Sequence, residues 1–267
     1  PDENIPGLGA SMGKGYLMPL PVPPLDLISS LMLPTPMASE QSELPIRAEL
    51  YDANGIKQAE QFMGRLKRTD SVPLIIDDWL KISGAKLDSG FGHVEFMYDF
   101  RDGGEADGWL HALGKYTLRG SGHSAETIFG AHIYNTPLIY KDEPQSYTNT
   151  PPGLSTRLFL RLGQNLGSGI DAICHLIYPA SAPWREKSDT AIFLHDGDGR
   201  VVAQKNILIA CSGSLFWRYS QMFDACERKT AGARAYVIVR DETCRLFGFH
   251  GLLQSGNGFS LDHMFGF

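Results

Sequence analysis

Four residues on two neighbouring stretches, Asp107, His111, Glu126 and His132, are of the types that ligate metal ions or move protons. If segments 108–116 and 125–134 pair as antiparallel strands around a loop centred near Arg119 and Gly120, Asp107 faces His132 and His111 stands one diagonal step from Glu126. All four then share one sheet face, as candidate metal ligands or as a general acid–base set, because an imidazole with a carboxylate partner serves either purpose. The same construction near the C-terminus, with its loop centred on Gly256, sets His250 against Asp262. Recurrence of one His–carboxylate pair in two stretches favours a structural hydrogen bond over catalysis. Asp107 and His132 have no C-terminal equivalents, so an active site would belong to the N-terminal half. The candidate ligand-binding residues are therefore His111, Glu126, His250 and Asp262, joined by Trp184, whose setting SAPWREKSD reads as an exposed loop where an aromatic could stack on a sugar or a partner.

Other motifs dissolve on inspection. His93-Val-Glu95 has the HxE of a zinc deaminase, but no PCxxC follows. Asp196-Gly-Asp198-Gly199 lacks the rest of a calcium loop, and GLGASMGKG lacks the spacing, the Ser or Thr and the preceding strand of a phosphate loop. There is no GxSxG, HExxH or dinucleotide fingerprint, and no cofactor is named by any motif.

Composition narrows the partners. A net charge of −6 and a pI near 5.7, with no basic run, argue against nucleic acid and anionic membranes. Stretch 16–33 is apolar but holds Pro19, Pro21, Pro23, Pro24 and Asp26, which rules out a spanning helix and argues against a signal peptide. Cys174, Cys211, Cys226 and Cys244 show no CxxC spacing and read as free thiols, which points to a reducing cytoplasm.

The elements that must hold these residues repeat. Residues 191–223 carry the marks of residues 48–80 in the same order: an apolar run ending in Asp196 or Asp52, a turn at Asp198-Gly199 or Asn54-Gly55, a polar-flecked return strand, then a Ser leading an apolar run. Asn-Gly and Asp-Gly predict type I′ turns. Further echoes sit 145 residues apart at Pro34 and Pro179 and 139 apart at His111 and His250. The pattern predicts a tandem duplication of domain-sized units.

Apolar periodicity near two, punctuated by turns, predicts about eight short strands per copy. In 93–100, Val94, Phe96 and Tyr98 take one face, buried, and His93, Glu95 and Met97 the other, wetter one. Helical turns are expected only near 77–82 and 220–227. The predicted fold is all-β: two tandem antiparallel β-sandwich modules related by internal duplication, with two eight-stranded lipocalin-like barrels as the rival. The predicted organisation is a flexible arm at 1–14, module 1 at 15–135, a Pro-rich linker at 136–155 and module 2 at 156–267. The functional expectation is a non-enzymatic binding protein with a small-molecule or protein partner in the inter-module cleft, and with self-association into a homo-oligomer left open. The alternatives are a metal-dependent or His/carboxylate enzyme sited on module 1 and a lipocalin-like carrier of an apolar ligand.

Overall fold

Alternating side chains make the strands, and what each face meets decides how they stack. A computed structural model describes residues 18–37, 41–99, 107–134, 139–140, 143–144, 156–179, 186–242, 246–255 and 257–264. The N-terminal half contains β1 (Met18–Val22), β2 (Ile28–Pro36), β3 (Glu43–Asp52), β4 (Lys57–Lys67), β5 (Leu74–Ile75), α1 (Ile76–Ser83), β6 (Gly92–Tyr98), β7 (Asp107–Leu118) and β8 (Ser124–Tyr134). A small ribbon, β9 (Ile139–Tyr140) with β10 (Glu143–Pro144), follows. The C-terminal half contains β11 (Thr156–Arg161), β12 (Ile170–Ile177), β13 (Thr190–His195), β14 (Val201–Ile207), β15 (Ser214–Arg218), α2 (Tyr219–Met222), α3 (Ala225–Ala231), β16 (Tyr236–Asp241), β17 (Phe247–Gln254), β18 (Gly258–Phe259) and β19 (Asp262–His263).

Four open antiparallel sheets carry the fold. Sheet I runs β1-β6-β3-β4 and sheet II β5-β2-β7-β8; sheet III runs β15-β12-β17-β18, with β19 also on β17, and sheet IV β11-β16-β13-β14. None closes on itself, so the barrel alternative gives way to the sandwich. Strand order is the same in both halves: sheet IV repeats sheet I, and sheet III repeats sheet II. The helices fall where helical turns were expected, and each has a local cause. Gly84, at a φ of 69°, ends α1 in the left-handed region that glycine takes without strain. Asp224 accepts from the N–H groups of Cys226 and Glu227 at the start of α3, while Glu227 reaches back to the N–H of Asp224. No helix among the described residues is long and apolar enough to cross a membrane. Cys174 and Cys226 are free thiols; Cys244 lies outside the described residues.

Sheets I and II bury Leu20, Ile46, Phe96, Met32, Leu110 and Tyr116 between them, and sheets III and IV bury Leu160, Cys174, Leu176, Ile192 and Val237. Between the two sandwiches runs a third buried layer. Ile173, Ile177 and Phe249 of sheet III join the same apolar cluster as the first sandwich, and Phe91 contacts His175 and Phe216 across the divide. Every residue of β6 is buried, so the expectation of a wetter face at His93, Glu95 and Met97 fails: a second sheet covers that face. The layers stack in the order II, I, III, IV.

The two repeated hairpins coincide in detail. The carboxylate of Asp52 accepts from the N–H groups of Asn54 and Ile56, each at 2.9 Å, and Asp196 does the same for Asp198 and Arg200 at the same distance. Gly55 and Gly199 each donate to the carbonyl of that Asp at 3.2 Å. Only the glycines have positive φ, 84° and 87°. The turns are therefore type I with a bulge at the glycine, not type I′: the central pairs are Ala53-Asn54 and Gly197-Asp198, and the Asp side chain holds them in place of a second left-handed residue.

Their surroundings differ. A Cβ on Gly55 would run into the Cys211 carbonyl of the other sandwich, whereas one on Gly199 would meet only the Tyr236 hydroxyl at 3.5 Å. Gly199→Ala should cost about 1 kcal/mol for the left-handed backbone alone, and Gly55→Ala on the order of 2–4 kcal/mol because the steric clash adds to it. Urea midpoints of the two variants measure this; equal losses would contradict the role of Gly55 at the junction.

Candidate functional site: the polar seam

The sequence candidates disperse over the fold. The β7–β8 ladder runs two residues beyond the expected register: Asp107 faces Tyr134, Trp109 faces His132, His111 faces Gly130 and Glu126 faces Lys115. The hairpin turns on Gly122, at a φ of 73°, and not on Gly120, which shifts the centre of the loop. Only the backbone positions of Asp107 and His132 belong to the described structure. His111 and Glu126 lie on the outer face of sheet II, with Glu126 exposed and four residues along β8 from the position opposite His111. Trp184 is outside the described residues. Among the described residues, no group of three or more His, Cys, Asp or Glu side chains is placed to hold a metal ion.

His250 does face Asp262 across the β17–β19 ladder. Their side chains go separate ways. The Asp262 carboxylate accepts from Thr127 of the first sandwich at 2.8 Å and from the N–H and ring of His263. Burial works against its ionisation, but these hydrogen bonds outweigh it and hold the group below the usual carboxylate range. The His250 ring turns to the Arg161 backbone, and burial lowers its pKa. His250 shares the inner face of its sheet with Cys174, whereas His111 points outward from sheet II. The two histidines therefore do not occupy one slot: inward-facing positions are even-numbered on both β7 and β17, so a separation of 139 residues puts the two side chains on opposite faces.

A different set of polar residues gathers at the seam, on the face of sheet I turned toward sheet III. Arg47, Glu49 and Tyr51 alternate along β3, and His93, Glu95 and Met97 stand opposite them on β6 in the order Met97, Glu95, His93. All six are buried. Tyr51 donates to Glu49 at 2.6 Å; Lys57 reaches the other Glu49 oxygen at 3.4 Å, and Arg47 lies 3.6 Å from it. Arg47 also lies 3.6 Å from Asp99. His93 Nε2 is 3.2 Å from Glu95, and the His93 ring stacks on Tyr51 with centroids 5.4 Å apart. From the other sandwich His175 approaches edge-on to Phe91 and beside the Gly92 backbone.

The electrostatics make this a set of fixed donors and acceptors. Burial, followed by the Glu95 and Glu49 carboxylates, drives the Tyr51 phenol far above its usual range, so it stays protonated and donates. Burial pulls His175 down to about 3, with His93 contributing in the same direction, so it is neutral at pH 7. His93 Nδ1 is buried and carries hydrogen-bonding capacity that no described group takes up. Sequence reasoning missed this cluster because polar alternation on β3 and β6 also describes a solvent face. Pro19 and Pro21 mark β1 as an edge strand, where an N–H would point away from the sheet, but carry no signal of what covers its face.

No protein-family model and no curated protein sequence matches the chain. Among solved structures, a lectin from Pleurotus ostreatus in complex with GalNAc aligns at 7% identity over 94% of this chain and 81% of that one, with a TM-score of 0.19. The C-terminal domain of a Streptococcus agalactiae AgI/II polypeptide, BspA, aligns at 10% identity over 98% and 97%, with a TM-score of 0.17. Likenesses at that level support no inference about fold or function.

His175 gives a measurable pH dependence. Its folded pKa lies below the unfolded value, so the unfolded chain binds the proton first as pH falls. Its contribution to stability is whole above about pH 6.5 and is lost progressively toward about pH 3. Asp196 and Asp262, held below the usual carboxylate range, act only at the acid end of that window. Replacing His175 by Leu should flatten the fall in urea midpoint between pH 6.5 and 4.5, leaving the smaller share due to His250. A variant that keeps the wild-type slope would contradict the buried neutral histidine.

Proposed function

We propose that the chain is a non-enzymatic binding protein: two β-sandwich modules that arose by duplication and seat a small polar ligand, or a polar group of a partner, at the seam between them. One observation carries the reading. His93, wholly buried and stacked on Tyr51, keeps a ring nitrogen without a partner among the described residues, one of several buried side-chain polar atoms that do. A buried polar atom left unpaired costs about 1–3 kcal/mol, so a site that retains one has a use for it. The protonated Tyr51 and the Arg47–Glu49–Lys57 set give the surroundings fixed polarity, which suits recognition and supplies no nucleophile. Free thiols fit a cytoplasmic setting.

Native mass spectrometry of the purified protein should find a stoichiometric small molecule above the 29.4 kDa chain, released on denaturation and lost in His93→Leu with the fold retained. A native mass equal to the chain alone, in the presence and absence of cell extract, would sink the seam as a binding site. Elemental analysis separates this reading from the enzyme: it should return no stoichiometric zinc, iron or manganese. A metal bound by wild type and lost in His111→Ala, with unfolding midpoints unmoved, would shift the assignment to a metalloenzyme on module 1.

A further inference from the structure

Sheets II and IV end the stack, and each turns one face outward. Strand order makes sheet IV the equivalent of sheet I and sheet II the equivalent of sheet III. In the seam, the outer face of sheet I is covered by the outer face of sheet III. The two end faces are thus equivalents of two faces that already dock on one another within the molecule. We propose that copies of this chain stack head to tail, sheet IV of one copy docking on sheet II of the next and repeating the seam.

The composition of the two faces suits that contact. On sheet IV the register aligns Phe159, Ile238 and Phe193 in one row across β11, β16 and β13. Arg157 and Arg240 flank the row on one side, and Arg161 with Tyr236 on the other. Arg240 lies over the Phe193 ring at 5.7 Å, and Phe159 contacts Tyr236 at 5.3 Å. An apolar centre with aromatics and arginine around it, and no carboxylate on the outer face at the described register positions of β11, β13 and β16, is the composition of a protein interface. On sheet II the equivalent central row is Leu33, Leu113 and Ile128, with Leu31 and Ile75 beside it. Ile128 is 61% exposed and Ile75 41%, and Phe159 on sheet IV is 38% exposed. Glu126, opposite Lys115, borders the sheet II row and is the carboxylate that an arginine of sheet IV would meet there. A symmetric contact of sheet IV with itself would set arginine against arginine, which disfavours a closed dimer and leaves the open-ended arrangement. The contact uses faces remote from the seam, so it stands or falls independently of a ligand there.

Sedimentation velocity over a rising concentration series tests the stacking. Wild type should grow past two chains in mass. Phe159→Glu on sheet IV and Ile128→Glu on sheet II should each weaken association at least about tenfold and remain near 29.4 kDa. An equimolar mixture of the two variants should form a two-chain species and nothing larger, since one pair of compatible faces survives. Arg161→Glu and Ile75→Lys give the same readout should either first variant lose its fold. Wild type at 29.4 kDa throughout, a closed dimer, or association unchanged in either face's variants would overturn the proposal.

Discussion

Burial of β1, β3 and β6 of sheet I on both faces is the constraint on which the rest of the structure depends. A sheet in a two-layer sandwich has one face on which to place charge. Strand β6 has none, since all seven of its residues are buried. Its odd-numbered positions and those of β3 nevertheless carry Arg, Glu, Tyr and His, so each charge must find its counter-charge inside the same layer. The salt links of Arg47 and Lys57 to Glu49 meet that demand, and Tyr51 and His93 lie within hydrogen-bonding distance of the Glu49 and Glu95 carboxylates. Breaking such a pair from one side leaves a buried charge without compensation, which costs more than the pair itself contributes to stability.

The same constraint explains why identical hairpins have different consequences. Asp52 and Asp196 hold their turns through equivalent hydrogen bonds, so the local sequence is under one requirement in both halves. Covering sheet I brings the first hairpin against residues 210–213 of the second sandwich, where the Ala53 carbonyl accepts from Ser214 N–H at 3.1 Å. The second hairpin meets no such neighbour. A conformational requirement at Gly199 becomes a conformational and steric one at Gly55 solely through what lies opposite.

Much of the fold was legible in the sequence because its signals are local. Period-two alternation located the strands, and Asp followed by a Gly-containing turn located both hairpins. The finer errors also have local causes. Gly122 rather than Gly120 carries the left-handed turn residue, which moves the β7–β8 register by two and separates His111 from Glu126. Asp52 and Asp196 support a type I turn through their side chains, so the Asn-Gly and Asp-Gly pairs did not require a type I′ turn. The seam was not legible. Arg47, Glu49, His93 and Glu95 alternate with apolar residues as they would on a wet surface, and what covers them, Ile173, His175 and Phe216, lies between 78 and 169 residues away in the chain. Coverage of a face is a property of the partner sheet, not of the strand that bears it.

A polar seam rather than an apolar one also bears on how the two sandwiches align. Two flat apolar sheets can slide by one strand, about 4.8 Å, and lose little contact. Here a slide would move His175 away from Phe91 and the Gly92 backbone, draw Asp262 off Thr127, and pull the Ala53 carbonyl away from Ser214. The last two losses each leave a buried donor, the Thr127 hydroxyl or the Ser214 N–H, unpaired at about 1–3 kcal/mol, and these terms separate the alternatives from the observed alignment. Apolar residues such as Ile173 and Phe249 supply the driving force for association without choosing the alignment. Hydrogen bonds that contribute little net energy when formed choose it, because they are costly to break.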